Sequence, residues 1–253
     1  MNFFFGINNR IFKSEIQIPI FKNRELKISN LKLFKCYPKN NKWVLEKLNK
    51  KKVGNYFFIL KNNDILNNEI YFLSDEKIYN YFDVHKLKNF NNFTDTIPKY
   101  RANFKIYLSN GGFSSYQSEY PFSMVKKNGS ILSSIYSLSN IDADKNYIFI
   151  KNIFERPIEE NFKAYLVNYK NKNIEMEYSL KTNNINCLEL NKKHIKPETF
   201  LVTRKYLGVP MYISVKNRAI SFEHTHPPHE YILSKNKFIK VSDLKKEINE
   251  IIH

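Results

Sequence analysis

The sequence predicts a mainly β protein, a sandwich or barrel-like fold with a few short helices and a C-terminal helix. Three observations carry this. Short runs of β-branched and aromatic residues recur along the chain, separated by turns rich in Asn, Gly, Asp and Lys. Hydrophobic residues make up 42% and aromatics 15%, enough to bury a core where a disordered chain would have far fewer. Near the C-terminus, Leu244, Ile248, Ile251 and Ile252 fall at helical spacing behind Ser242, which predicts a capped amphipathic helix over 243–252.

The elements follow in chain order. Residues 10–20 alternate, with Ile16, Ile18 and Ile20 between Lys13, Glu15 and Gln17, the period of a half-buried strand. Residues 31–37, 43–45 and 56–60 continue that style. Ser74, Asp75 and Glu76 precede Ile78, Tyr81 and Phe82, a pattern that predicts a helix start. The Asn-rich stretch 89–99, closed by Pro98, predicts a linker between a β-rich N-terminal unit with one helix (1–98) and a β-rich domain (99–253). Beyond it, strands are expected at 104–108, 122–125, 130–138, 147–153, 162–169, 174–180, 187–190, 199–204, 211–215, 220–226 and 237–241. A hairpin turn is expected at 215–219.

The formal charge of +17 invites a nucleic-acid reading, but its make-up argues against one. There are 35 Lys, 34 Asn and only 6 Arg, 6 Gly and 4 Ala, the bias of an AT-rich genome. Arg is the residue that grips phosphate and guanine edges with two bonds at once. Scattered Lys gives weak, salt-sensitive polyanion affinity, so a Lys-rich polyanion binder ranks last among the functional readings. The two cysteines, Cys36 and Cys187, make no disulfide framework and are expected as reduced thiols of a cytoplasmic protein. No window approaches the length of an apolar membrane span.

The densest chemistry lies in 221–231. Three of six histidines, His224, His226 and His229, fall in six residues, with Glu230 beside them and Pro227-Pro228 between. On a strand, His224 and His226 would share a face. Two imidazoles with a third, or with a carboxylate, suit a divalent transition metal (Zn, Fe or Mn) with an open position. The same groups can exchange protons near neutral pH without a metal, or simply end a strand. The spacing of His224, His226 and Glu230, H-x-H-x3-E, resembles the first metal-binding motif of the cupin family over about seven residues. The glycines framing that motif are missing, and the only histidine after Glu230 is His253, so the likeness is one of ligand spacing alone.

A second candidate is 111–121, rich in hydroxyls and rings and poor in Lys. Tyr116 could stack on a sugar face while Gln117 and Glu119 bond hydroxyls, and Gly111-Gly112 would let backbone approach a ligand. Among the few arginines, Arg204 and Arg218 are the candidates for an anionic substrate group. His194, set among lysines, is expected in solvent. The functional readings are therefore three. The first is a histidine-centred, metal-dependent site acting on a small polar or carbohydrate substrate. The second is a non-catalytic β-sandwich module that binds carbohydrate or protein. The third is the polyanion binder.

Overall fold

The computed structural model describes residues 2–20, 31–54, 57–88, 101–125, 129–224, 231–234 and 237–253. The first half contributes β1 (Asn2–Phe3), β2 (Phe12–Pro19), β3 (Lys32–Lys39), β4 (Lys42–Leu48), β5 (Phe57–Leu60), β6 (Ile70–Ser74), β7 (Ala102–Leu108), β8 (Phe113–Ser118) and β9 (Tyr120–Pro121). The second contributes β10 (Leu132–Ser134), β11 (Lys145–Lys151), β12 (Asn161–Asn168), β13 (Asn173–Lys181), β14 (Ile185–Leu190), β15 (Thr199–Thr203), β16 (Val209–Lys216), β17 (Ala219–His224), β18 (Tyr231–Ser234) and β19 (Lys237–Lys240). One α-helix, α1 (Val241–Ile252), ends the chain. Among the described residues the protein is mostly β with a single α-helix, at the C-terminal end, as the sequence predicts, and no described helix is long and apolar enough to cross a membrane.

The larger sheets run β5-β2-β7-β8, β4-β3-β6, β14-β11-β16-β17 and β10-β15-β12-β13, paired antiparallel. Layering follows from which strands are apolar on both sides. Tyr147 and Phe149 of β11 point into a core with Phe12, Phe104 and Phe222, while Ile148 and Ile150 point into another with Leu166, Leu201 and Tyr212. The β14-β11-β16-β17 sheet is thus an inner layer, which is why 147–150 carries no polar residue. Helix α1 covers the far side of the β10-β15-β12-β13 sheet, setting Leu244 and Ile248 against Val167, Phe200 and Val202. Strands β7 and β8 complete the sheet begun by β2, so hydrogen bonds and a shared core span the expected 98/99 boundary.

Turns show what Asn does in a chain with only 6 Gly. Asn40 (φ 51°) and Asn41 (φ 57°) join β3 to β4, and Asn217 (φ 48°) with Arg218 (φ 67°) joins β16 to β17. Both are two-residue turns with φ positive at each position, the geometry that matches strand twist. Asn tolerates it better than other non-glycine residues.

Several local expectations are corrected. Residues 70–74 form a strand, and the helix expected after Ser74 is only a 3-10 turn, Glu76–Asn80. Asp75, not Ser74, caps it by accepting from the Lys77 amide, and Ile78 alone is buried. A four-residue apolar run between two cores is satisfied as a strand and leaves too little apolar surface for a helix. Residues 122–124, expected as strand, are a 3-10 turn after Pro121, and the strand expected over 130–138 shortens to β10. Ser242 does not cap α1, which begins at Val241 with Lys240 at the cap position and no side-chain cap bond. The expected linker at 89–99 lies outside the described residues, apart from which β18 is a strand that periodicity did not reveal.

Candidate functional site

The outer face of the β5-β2-β7-β8 sheet is built by strict alternation. On β2 and β7 the even-numbered residues Phe12, Ile16, Phe104 and Ile106 are buried, so the odd-numbered ones face out. Cross-strand register arranges these into rungs. Across β2, β7 and β8 in turn, the rungs run Lys13, Tyr107, Phe113; Glu15, Lys105, Ser115; and Gln17, Asn103, Gln117. Arg101 and Glu119 continue the series as an ion pair at 3.2 Å.

The face is therefore graded along its length. One end is an aromatic platform, with Tyr107 and Phe113 rings 5.6 Å apart at 33° and Phe113 60% exposed. The other end is a row of amides, in which Asn103 Nδ2 donates to Gln17 Oε1 at 3.3 Å and Arg101 Nη1 donates to Gln117 Oε1 at 2.5 Å. Between them, Glu15 is held by Lys105 at 3.7 Å and by Gln17 Nε2 at 2.8 Å. A shallow groove of about 480 Å³ opens over the amide end, lined by Arg101, Ala102, Asn103, Ser115, Tyr116 and Gln117. Burial, the Glu223 carboxylate and, less strongly, Glu119 push the Tyr116 phenol above its ordinary value against the opposing Arg101, so at neutral pH it keeps its proton.

Of the expected ligand-binding residues, Gln117 and Glu119 come together on this face, whereas Tyr116 lines the groove from the other side of β8, its ring packed against the core beside Phe222; the structure adds Arg101, Asn103, Gln17, Tyr107 and Phe113. The signal for these lay in the polar alternation of 13–17 and 101–107, which sequence reading used only to assign strands. Arg204 lies elsewhere, with Nη2 2.7 Å from Nε2 of His253. Arg218 sits in the β16–β17 turn, where its carbonyl accepts from the Gly112 amide at 2.8 Å. That bond changes the meaning of the glycine pair. A Cβ on Gly111 would lie 2.5 Å from the Arg218 carbonyl oxygen, so the close approach that needs glycine is to the neighbouring turn and not to a ligand. Gly111→Ala should cost about 1–3 kcal/mol through overpacking at this seam, read as a drop in Tm.

The seam also joins the two stretches that sequence analysis singled out. Strands β8 and β17 lie side by side, with Gly112 on Arg218 at one end and the Tyr116 and Phe222 rings 5.6 Å apart further along. Phe222 is buried and also meets Phe104 edge-on at 5.5 Å. The backbone of His224 pairs with Met211 at the end of β17. His226, His229 and Glu230 lie outside the described residues, as does the side chain of His224. Among the described residues no group of three or more His, Cys, Asp or Glu could hold a metal ion. Both cysteines are free thiols, Cys36 buried and Cys187 exposed.

His194 is the clearest reversal. Expected in solvent, it is 6% exposed, with Nδ1 3.0 Å from Oε2 of the partly buried Glu175. The 3-10 turn Lys192–His194 folds it inward, capped by Asn191 accepting from the Lys193 amide. Asn168 Nδ2 bonds the other Glu175 oxygen at 3.0 Å, and Lys196 lies 3.4 Å from it. Asn168, His194 and Lys196 thus meet at one carboxylate, and the cluster ties β12 and β13 to the turn, while the buried His194 Nε2 has no hydrogen-bond partner among the described residues. No family model, curated protein or solved structure matches the chain.

Proposed function

We propose that this protein is a non-catalytic β-rich module that binds an oligosaccharide across the outer face of β2, β7 and β8. The observation that supports the reading is the graded ladder of rungs, with an aromatic platform at Phe113 and an amide row ending at Gln117. Rings stack on the apolar faces of sugars, and amides offer both donors and acceptors to hydroxyls. Phe113 and Gln117 are four residues apart on one strand, about 13 Å at the usual strand rise, which suits more than one sugar ring. The Arg101–Glu119 and Lys105–Glu15 pairs hold neighbouring side chains in place before a ligand arrives, which lowers the ordering cost of binding.

The test is an oligosaccharide array followed by calorimetry on the best binder, at low and high salt. Phe113→Ala and Gln117→Ala should each weaken binding by roughly 10-fold or more while leaving Tm within a degree or two, because neither side chain is in the core. Binding only to polyanions, lost at high salt and indifferent to Phe113→Ala, would refute the proposal and favour a Lys-rich polyanion binder. A second reading, catalysis at the histidine stretch, is favoured by the β8–β17 seam, which sets Glu223 beside Tyr116. It requires the purified, untagged protein to carry a stoichiometric transition metal or to lose a measurable turnover on His224→Ala.

A further inference from the structure

We propose that Lys151 is a pH-sensitive latch, held as the neutral amine in the folded protein and loosening the junction between its two halves when it takes up a proton. Lys151 ends β11 and is fully buried. Its Nζ donates to the Asn67 carbonyl at 2.9 Å and to the Glu69 carbonyl at 3.1 Å. These two acceptors match the two N–H bonds of a neutral amine; among the described residues, no third acceptor serves the extra proton of an ammonium. The Phe5 ring, 5.9 Å from Nζ, covers the group.

The surrounding charges do not supply a counter-ion in contact. The nearest carboxylate, Glu69, is turned to other partners. Its Oε1 takes Lys35 at 2.8 Å, and its Oε2 takes the Tyr71 hydroxyl and the Leu66 amide. Lys151's partners across the sheet, Ile185 on β14 and Val209 on β16, are apolar. The titratable groups facing it are thus Glu69, with Lys35 of β3 and Tyr71 of β6 behind it. Burial pushes the Lys151 ammonium down to about 7, with the Glu69 charge opposing only in part.

The position makes this a junction. The 66–69 turn takes Lys151 from β11 and the Ile185 amide from β14 on its Asn67 carbonyl, and Asn67 Oδ1 accepts from the Asn8 amide. One turn therefore ties the N-terminal segment to the inner sheet, and Lys151 is its deepest tether. The folded value lies below the unfolded one of 10.5, so between the two the unfolded chain binds the proton and the folded chain does not. This contribution to stability therefore climbs as pH rises from about 7 towards 10.5, and is absent below about 7, where the ammonium is buried without a third acceptor.

The test compares thermal unfolding of the wild type and Lys151→Met from about pH 6.5 to 9.5. Methionine keeps the unbranched shape and removes the titration. The wild-type Tm should gain roughly 3 °C per pH unit on the variant above neutrality, and the two curves should run parallel below it. Parallel curves throughout would overturn the proposal. Should the variant fail to fold, 13Cε NMR of lysine-labelled wild type decides. One lysine resonance titrating near neutrality is the expected result; every lysine titrating above about pH 9 would overturn it.

Discussion

Phe12→Ala is expected to destabilise the protein by about 3–5 kcal/mol, the usual cost of emptying a buried phenylalanine site. Phe12 is fully buried at the contact between sheets, its ring meeting Tyr147 at 5.2 Å and Phe149 at 5.4 Å, both edge-on. Those rings belong to the inner sheet, so the cavity would open where the two halves share a core and backbone relaxation could not fill it from either side. At this chain length the loss corresponds to roughly 6–20 °C in Tm. Phe113→Ala, the same chemical change on the exposed face of that sheet, is the matched control and should shift Tm by little. Equal shifts for the two would show that Phe12 is not a core residue.

Glu175→Ala is expected to cost about 3 kcal/mol, because it strips a buried histidine, a buried asparagine and Lys196 of their common acceptor. The acid limb of the stability curve should change as well. Burial by itself raises the Glu175 carboxyl, but hydrogen bonds from Asn168 and His194 and the Lys196 charge outweigh it and hold the group below its usual 4.5. A carboxylate depressed on folding contributes stability above its unfolded value and loses it as pH falls through the lower, folded one. The wild type should therefore lose stability below about pH 4.5 more steeply than Glu175→Ala. Urea titrations at neutral and acid pH measure both effects, and an unchanged acid slope would remove Glu175 from the account.

Much of the fold was legible because strand signals are local. The alternation of 13–18, the fully apolar 147–150 and the Asn-containing hairpin turns each state their own conformation within a few residues. The misreadings share a cause. Ser74-Asp75-Glu76 and Ser242 look like caps, yet whether a segment becomes a helix depends on the apolar surface left for it to cover. Within the turn Glu76–Asn80 only Ile78 is buried, whereas α1 has Val167, Phe200 and Val202 beneath it. His194 sits among lysines in sequence and beside Glu175 in space, and no local rule connects residues on different strands of a sheet.

The candidate site divides in the same way. The stretch 111–121 announced itself by its hydroxyls and rings, and Gln117 and Glu119 do lie together on the outer face, while Tyr116 turns to the core side. Arg101, Asn103 and Gln17 joined them only through the register of β2, β7 and β8, since a one-residue slip would turn all of them inward. By itself the sequence determined the β class, the C-terminal helix, most strand positions and the chemistry each segment could offer, because side-chain alternation and turn chemistry act over a few residues. Only the tertiary structure decided which segments meet: that Gly111 and Gly112 serve a neighbouring turn, that His194 is buried, and that Lys151 is surrounded by carbonyls and an aromatic ring. Those outcomes come from packing across long sequence separations, where the energy of a residue depends on partners that its own neighbourhood does not name.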